Sequence, residues 1–124
     1  MESRQEEFLT LDLRKKDVHT GLRALVFPDG DHTIIYFPSL NLSAYGNDER
    51  EATDMARLVI ADYFDNLLTL SEQRVIKELR QYGWVHKPFL TKQLRNSQFI
   101  DIETVKANFE LPKETQVREQ YMTA

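Results

Sequence analysis

The spacing of apolar residues changes abruptly at Gly46, and that change constrains the fold more than any other feature of the chain. Before it, Leu40, Leu42 and Ala44 alternate with Asn41, Ser43 and Tyr45, a period of two that fits a strand with one buried face. After it, Ala52, Met55, Ala56, Val59, Ile60, Tyr63, Phe64 and Leu67 recur at intervals of three and four, the stripe that an amphipathic helix buries. Arg50, Asp54, Arg57 and Asp65 fall on its opposite face. Asn47 or Asp48 can accept hydrogen bonds from the free N–H groups of the first turn, and Asp48, Glu49 and Glu51 suit the positive end of the helix dipole. Both periods in one chain of 124 residues predict a single domain of mixed α and β structure.

Upstream, Leu9, Leu11 and Leu13 alternate with Thr10 and Asp12 as a strand does, and the polar run Arg14 to Thr20 interrupts them. Leu22 to Phe27 and His32 to Phe37 are strand-favouring runs on either side of Pro28-Asp29-Gly30-Asp31, a turn sequence, so they read as an antiparallel hairpin. Downstream, Ser71 is placed to cap a second, shorter helix with Leu70 stapled on Val75, and Val75, Ile76 and Leu79 form its apolar stripe. Gly83 fits the left-handed position that ends it, with Trp84 next. Pro88 and the polar run Thr91 to Gln98 read as a loop. Ile100, Ile102 and Thr104, then after a one-residue slip Val105, Ala107, Phe109 and Leu111, alternate as in a bulged strand closed by Pro112, and this reading is preferred to a short helix from Ile102 to Asn108. The expectation is therefore an α+β domain over 1–112 with an antiparallel-rich sheet of three to four strands, one main amphipathic helix and a second short helix, followed by an exposed or partner-bound tail over 113–124.

The chemistry-bearing residues do not converge in sequence. His19, His32 and His86 lack the spacing of a shared metal site, and Asp29 and Asp31 flank a turn glycine without the further ligands of a calcium loop. Asp48, Glu49 and Glu51 read as dipole partners, and Ser39, Ser43, Ser71 and Ser97 have no nucleophile-elbow pattern beside them. None of the four glycines builds a phosphate loop. No catalytic residue, cofactor or metal site is expected. Tyr36, Phe37, Tyr45, Tyr63, Phe64, Trp84 and Phe89 mostly sit at core periodicities, and the basic groups Arg14 to Lys16 and Lys87, Lys92 and Arg95 are small. A net charge of −4 opposes direct DNA binding and suits a basic protein partner. The absence of cysteine, of an apolar leader in Met1 to Glu7 and of any run near the roughly 20 apolar residues that span a bilayer predicts a cytoplasmic protein.

The stretch Asp29-Gly30-Asp31-His32-Thr33-Ile34-Ile35-Tyr36-Phe37-Pro38-Ser39-Leu40, continued by Tyr45-Gly46-Asn47-Asp48-Glu49-Arg50-Glu51-Ala52, resembles the HicB-like antitoxin family. The matching residues are Gly30, Phe37, Pro38, Leu40, Gly46, Asp48, Glu51 and Ala52, within a similarity that runs from Leu22 to Leu68, about half the chain. The resemblance implies a partial ribonuclease-H-like layer without that fold's catalytic acids, and a role in neutralising a small basic toxin that cleaves messenger RNA. Many members carry a C-terminal DNA-binding element. Here twelve residues follow Pro112, too few for one, so the repressor role is not expected. A homodimer is expected as well, joined through an edge strand over Ile100 to Leu111 with Val105, Ala107 and Phe109 on an apolar seam.

Overall fold

Residues Asp17–Asp29 form one strand, β2, buried from Thr20 to Phe27, as a near-continuous apolar run is when both faces of a sheet are covered. In the computed structural model, which describes residues 6–87 and 90–123, every other part of the sheet is built outward from it. β1 (Phe8–Asp12) pairs with Asp17–Gly21, and β3 (His32–Phe37) pairs with Leu25–Asp29, both antiparallel. A strand residue has one partner on each of its two edges. Gly21 pairs with both Phe8 and Thr123, and Leu25 with both Tyr36 and Glu119, so β7 (Arg118–Thr123) lies along the edge of β2 opposite β1 and β3. From β3 the sheet continues to β4 (Leu42–Gly46), and from β1 to β6 (Leu90–Asn96) and then β5 (Trp84–Lys87), seven strands in all.

The two faces of β2 carry two cores. Leu22, Ala24 and Val26 belong to the larger one, completed by α1 (Glu49–Leu67), which packs on β3 and β4, and by α2 (Glu72–Gln81), which packs by β5. Ala52, Ala56, Ile60, Phe64 and Leu67 are the buried stripe of α1, and Val75 and Leu79 that of α2. Asp48 Oδ1 accepts from Glu51 N at 2.8 Å and Ser71 Oγ from Arg74 N at 3.4 Å, so both helices start at their capping residues. Gly83 ends α2 with φ +92°, where a side chain would strain the backbone. Leu25 and Phe27 face the smaller core with Val105 of α3 (Ile102–Asn108), and Phe109 meets Phe27 and Tyr36 edge-on at 5.3 and 4.9 Å. Trp84 lies in the larger core at 1% exposure, and its Nε1–H donates to the Ser39 carbonyl at 2.8 Å. Among the described residues no helix is long and apolar enough to cross a membrane.

Several expectations are corrected. The sheet has seven strands instead of three to four. The polar run after Asp12 is only a four-residue turn, and β2 resumes at Asp17. Thr91 to Gln98 contributes to β6 instead of a loop; in its described part only Leu94 is buried, so the strand exists by backbone pairing to β1 and β5 and shows no alternation. The tail over 113–124 is not separate from the domain, because β7 closes the second edge of β2, with Met122 its one buried residue. The segment Ile100 to Leu111 is not a bulged strand. Asp101 caps α3 by accepting from Thr104 N at 2.7 Å, and the helix closes with Leu111 N donating to Lys106 O and Glu110 N to Ala107 O. Ile102, Val105 and Phe109 are spaced three and four apart, and in a helix this short that spacing is hard to tell from a slipped alternation. The proposed seam dissolves with it: Val105 is fully buried, Phe109 is packed, and only Ala107 is exposed. Pro88 and Phe89 lie outside the described residues, as do Met1 to Gln5 and Ala124.

Replacing Trp84 by alanine removes a buried ring and leaves the Ser39 carbonyl without its donor, so the fold is expected to lose about 3–5 kcal/mol. Urea unfolding of the two proteins measures the difference, and a loss below about 0.5 kcal/mol contradicts a buried Trp84.

Candidate functional site

The residues that carry the family resemblance are placed by packing. Gly30 takes φ +61° in the β2–β3 turn, Phe37 and Leu40 are core residues, and Pro38 is buried beside them. Gly46 lies against the first turn of α1, where a Cβ would collide with the Ala52 backbone nitrogen, so only glycine lets the helix start this close to β4. Asp48 caps that turn, Glu51 is exposed and Ala52 is fully buried. Together they form a strand-end, turn and helix-start unit with no converging reactive groups. His19, His32 and His86 are exposed on three different strands, and among the described residues no group of three or more His, Asp or Glu could hold a metal ion.

One buried polar cluster does form, and no local pattern announces it because its members are far apart in the chain. Between the stretches paired to β1 and β3, β2 has a gap on that edge at Leu22–Ala24. Glu7, just before β1, fills it: Oε2 accepts from the Arg23 backbone N–H at 2.9 Å and from Ser39 Oγ–H at 2.5 Å. The Arg23 side chain is 8% exposed, with Nε donating to Glu119 Oε1 at 2.7 Å, Nη1 donating to the Ile100 carbonyl at 2.5 Å and the guanidinium 4.3 Å over the Phe99 ring. Burial pushes the Glu7 carboxyl above its ordinary range, against the hydrogen bonds from Ser39 and Arg23 that pull it down. The cluster closes the sheet by bonding Glu7, Ser39, Arg23, Glu119 and the Ile100 carbonyl across the gap.

The surface of α1 away from the core is different, because nothing among the described residues covers it. Met55 and Leu58 are 42% and 59% exposed, one turn apart on the solvent side. Glu51, Asp54 and Asp62 stand at helical spacings around them, all exposed. The stripe expected to be buried included Met55; it is displaced because Ala52, Ala56 and Ile60 fill that level of the core. Two apolar side chains ringed by three carboxylates make a patch that can bind apolar, positively charged surface, and the mixed α and β sheet fold holds it on a rigid helix. Comparison with known protein families, curated proteins and solved structures found no match to this chain.

The Glu7 cluster makes a pH-dependent prediction. Glu7 has a folded pKa raised above its unfolded value, so the stabilisation tied to its proton is full below the unfolded pKa and is lost as pH rises through the folded pKa. Both hydrogen bonds end on one oxygen, which a glutamine amide oxygen can replace without the buried charge. Glu7→Gln is expected to be at least as stable as the parent at neutral pH and to flatten that fall, whereas Glu7→Ala leaves the Arg23 N–H unpaired and costs about 1–3 kcal/mol. Urea titrations from mildly acidic to neutral pH distinguish them; equal losses in both variants refute the role given to the acceptor.

Proposed function

We propose that this chain is a non-catalytic protein-binding module, similar to HicB-like antitoxins, that covers a small basic protein in the manner of a toxin-antitoxin pair. The exposed Met55 and Leu58 within the acidic face of α1 are the observation that carries it. Apolar anchors supply affinity when they are desolvated against a partner, and surrounding carboxylates steer a cationic surface to them and reject an anionic one. The same charges disfavour direct contact with DNA phosphates. The resemblance over Leu22 to Leu68 supports the reading, since α1 is the element that this stretch builds. The second reading is a stand-alone homo-oligomer, favoured by the outer edges of β4 and β5, which end the strand order.

The test uses the full chain and the product of the adjacent reading frame, if that product is small and basic. Calorimetric titration is expected to show a tight complex that weakens with salt, and Met55→Lys with Leu58→Lys is expected to weaken it by about a hundredfold, the effect of losing a binding hot spot, with unchanged thermal unfolding. Undiminished binding by the double variant defeats the assignment of this face. A self-associated chain in light scattering that binds no such product supports the second reading instead.

A further inference from the structure

On the other flank of α1 a cleft of about 300 Å³ opens between the helix, the start of β2 and the end of β7. Its floor is apolar, made by Val18, Ile60, Phe64, Leu68 and Met122. Its rim carries Lys16, Arg57 and Asp65. Two cations against one carboxylate leave the rim net positive, the reverse of the acidic face a turn away. Among the described residues neither Lys16 nor Arg57 makes an ion pair, and the buried Thr20 hydroxyl on the wall is committed to the Phe8 carbonyl at 2.8 Å.

Lys16 is unusual in a second way. It closes the turn between β1 and β2 with φ +53°, a left-handed conformation that glycine or asparagine adopts at little cost and a lysine does not. Asp12 Oδ1 already organises this turn by accepting from Arg14 N and Lys15 N, so the fold does not need a lysine side chain at its last position. The left-handed turn sets Lys16 at the mouth of the apolar cleft, where its ammonium is free to meet an anion.

We infer that this cleft binds a small amphipathic monocarboxylate, its apolar body on the floor and its carboxylate between Lys16 and Arg57. The volume is at the lower end of the roughly 300–1,000 Å³ of small-molecule sites, which limits the ligand to a short chain or a single ring. Asp65 restricts the charge, since a dianion would meet its carboxylate and a cation would meet a net positive rim. The site is independent of the partner-binding face: Met55 and Leu58 do not line it.

The probe is octanoate, titrated calorimetrically into the full-length protein, with octanol and octylamine as matched tails of other charge. Octanoate is expected to bind saturably and at least about tenfold tighter than either control, the worth of one charge-assisted contact. Ala61→Trp, on the exposed lining of the cleft, is expected to abolish binding while thermal unfolding stays cooperative. Lys16→Gly is expected to weaken octanoate binding by about tenfold while raising the thermal midpoint, because it removes the charge and the backbone strain together. Asp65→Asn is expected to tighten binding. Absence of saturable octanoate binding, octanol binding as tightly as octanoate, or full binding by Ala61→Trp overturns the proposal.

Discussion

Everything in this fold depends on a single strand having more partners than a strand normally has. β2 is thirteen residues long, and its one edge is shared by β1 at the start and β3 at the end while β7 takes the middle of the other. Buried backbone N–H and C=O groups must be paired, so a strand divided in this way has to satisfy the residues between its two neighbours. Glu7 does this with a side chain. Its carboxylate accepts from Arg23 N, and through Ser39 it ties the start of β1 to the turn after β3. Ser39 in turn offers its carbonyl to Trp84, so the same point links the sheet gap to the end of α2 and the start of β5.

Close approaches then determine which residues are tolerated around β2. Gly21 stands where β1, β2 and β7 meet, and a Cβ there would collide with the Tyr121 and Phe8 rings. Tyr121 reaches over that space to donate its hydroxyl to the Glu6 carbonyl at 2.9 Å, which fastens the C-terminal strand to the residues ahead of β1. Arg118 pairs with Glu49 at the opposite end of β7, joining it to the first turn of α1. An exposed ion pair contributes little by itself, so the pairing of β7 to β2 and the burial of Met122 hold the strand. The second face of β2 is covered by a short helix that could not stand alone, since seven residues give too few hydrogen bonds to offset nucleation. Val105 inserted against Leu25 and Phe27 supplies what the helix lacks.

The charge of the molecule is distributed unevenly around α1. Its outer face is acidic around Met55 and Leu58, while the flank toward the β1–β2 turn carries Lys16 and Arg57 over an apolar cleft. The net charge of −4 describes neither surface. A helix with its core stripe made partly of alanines sits close to the sheet, and this leaves larger apolar residues of the same helix at the boundary and outside. The two candidate surfaces are consequences of that packing.

The sequence by itself determined the elements whose apolar pattern is long and whose ends carry a chemical signal. The β2–β3 hairpin, α1 behind Asp48 and α2 between Ser71 and Gly83 all follow from local spacing, capping and turn residues. Tertiary structure alone decided the elements that are held by pairing or by a single buried side chain. β6 and β7 are polar strands, each held by pairing to a strand distant in the chain, β1 and β2 respectively, and α3 ends on Glu110 in a left-handed conformation where glycine would have announced the stop. The Glu7 cluster and the cleft were illegible for the same reason: Glu7, Arg23, Ser39 and Glu119 gain their meaning from proximity, as do Lys16, Arg57 and Met122. Local spacing reports a face to be buried, and only the assembled sheet decides what lies against it.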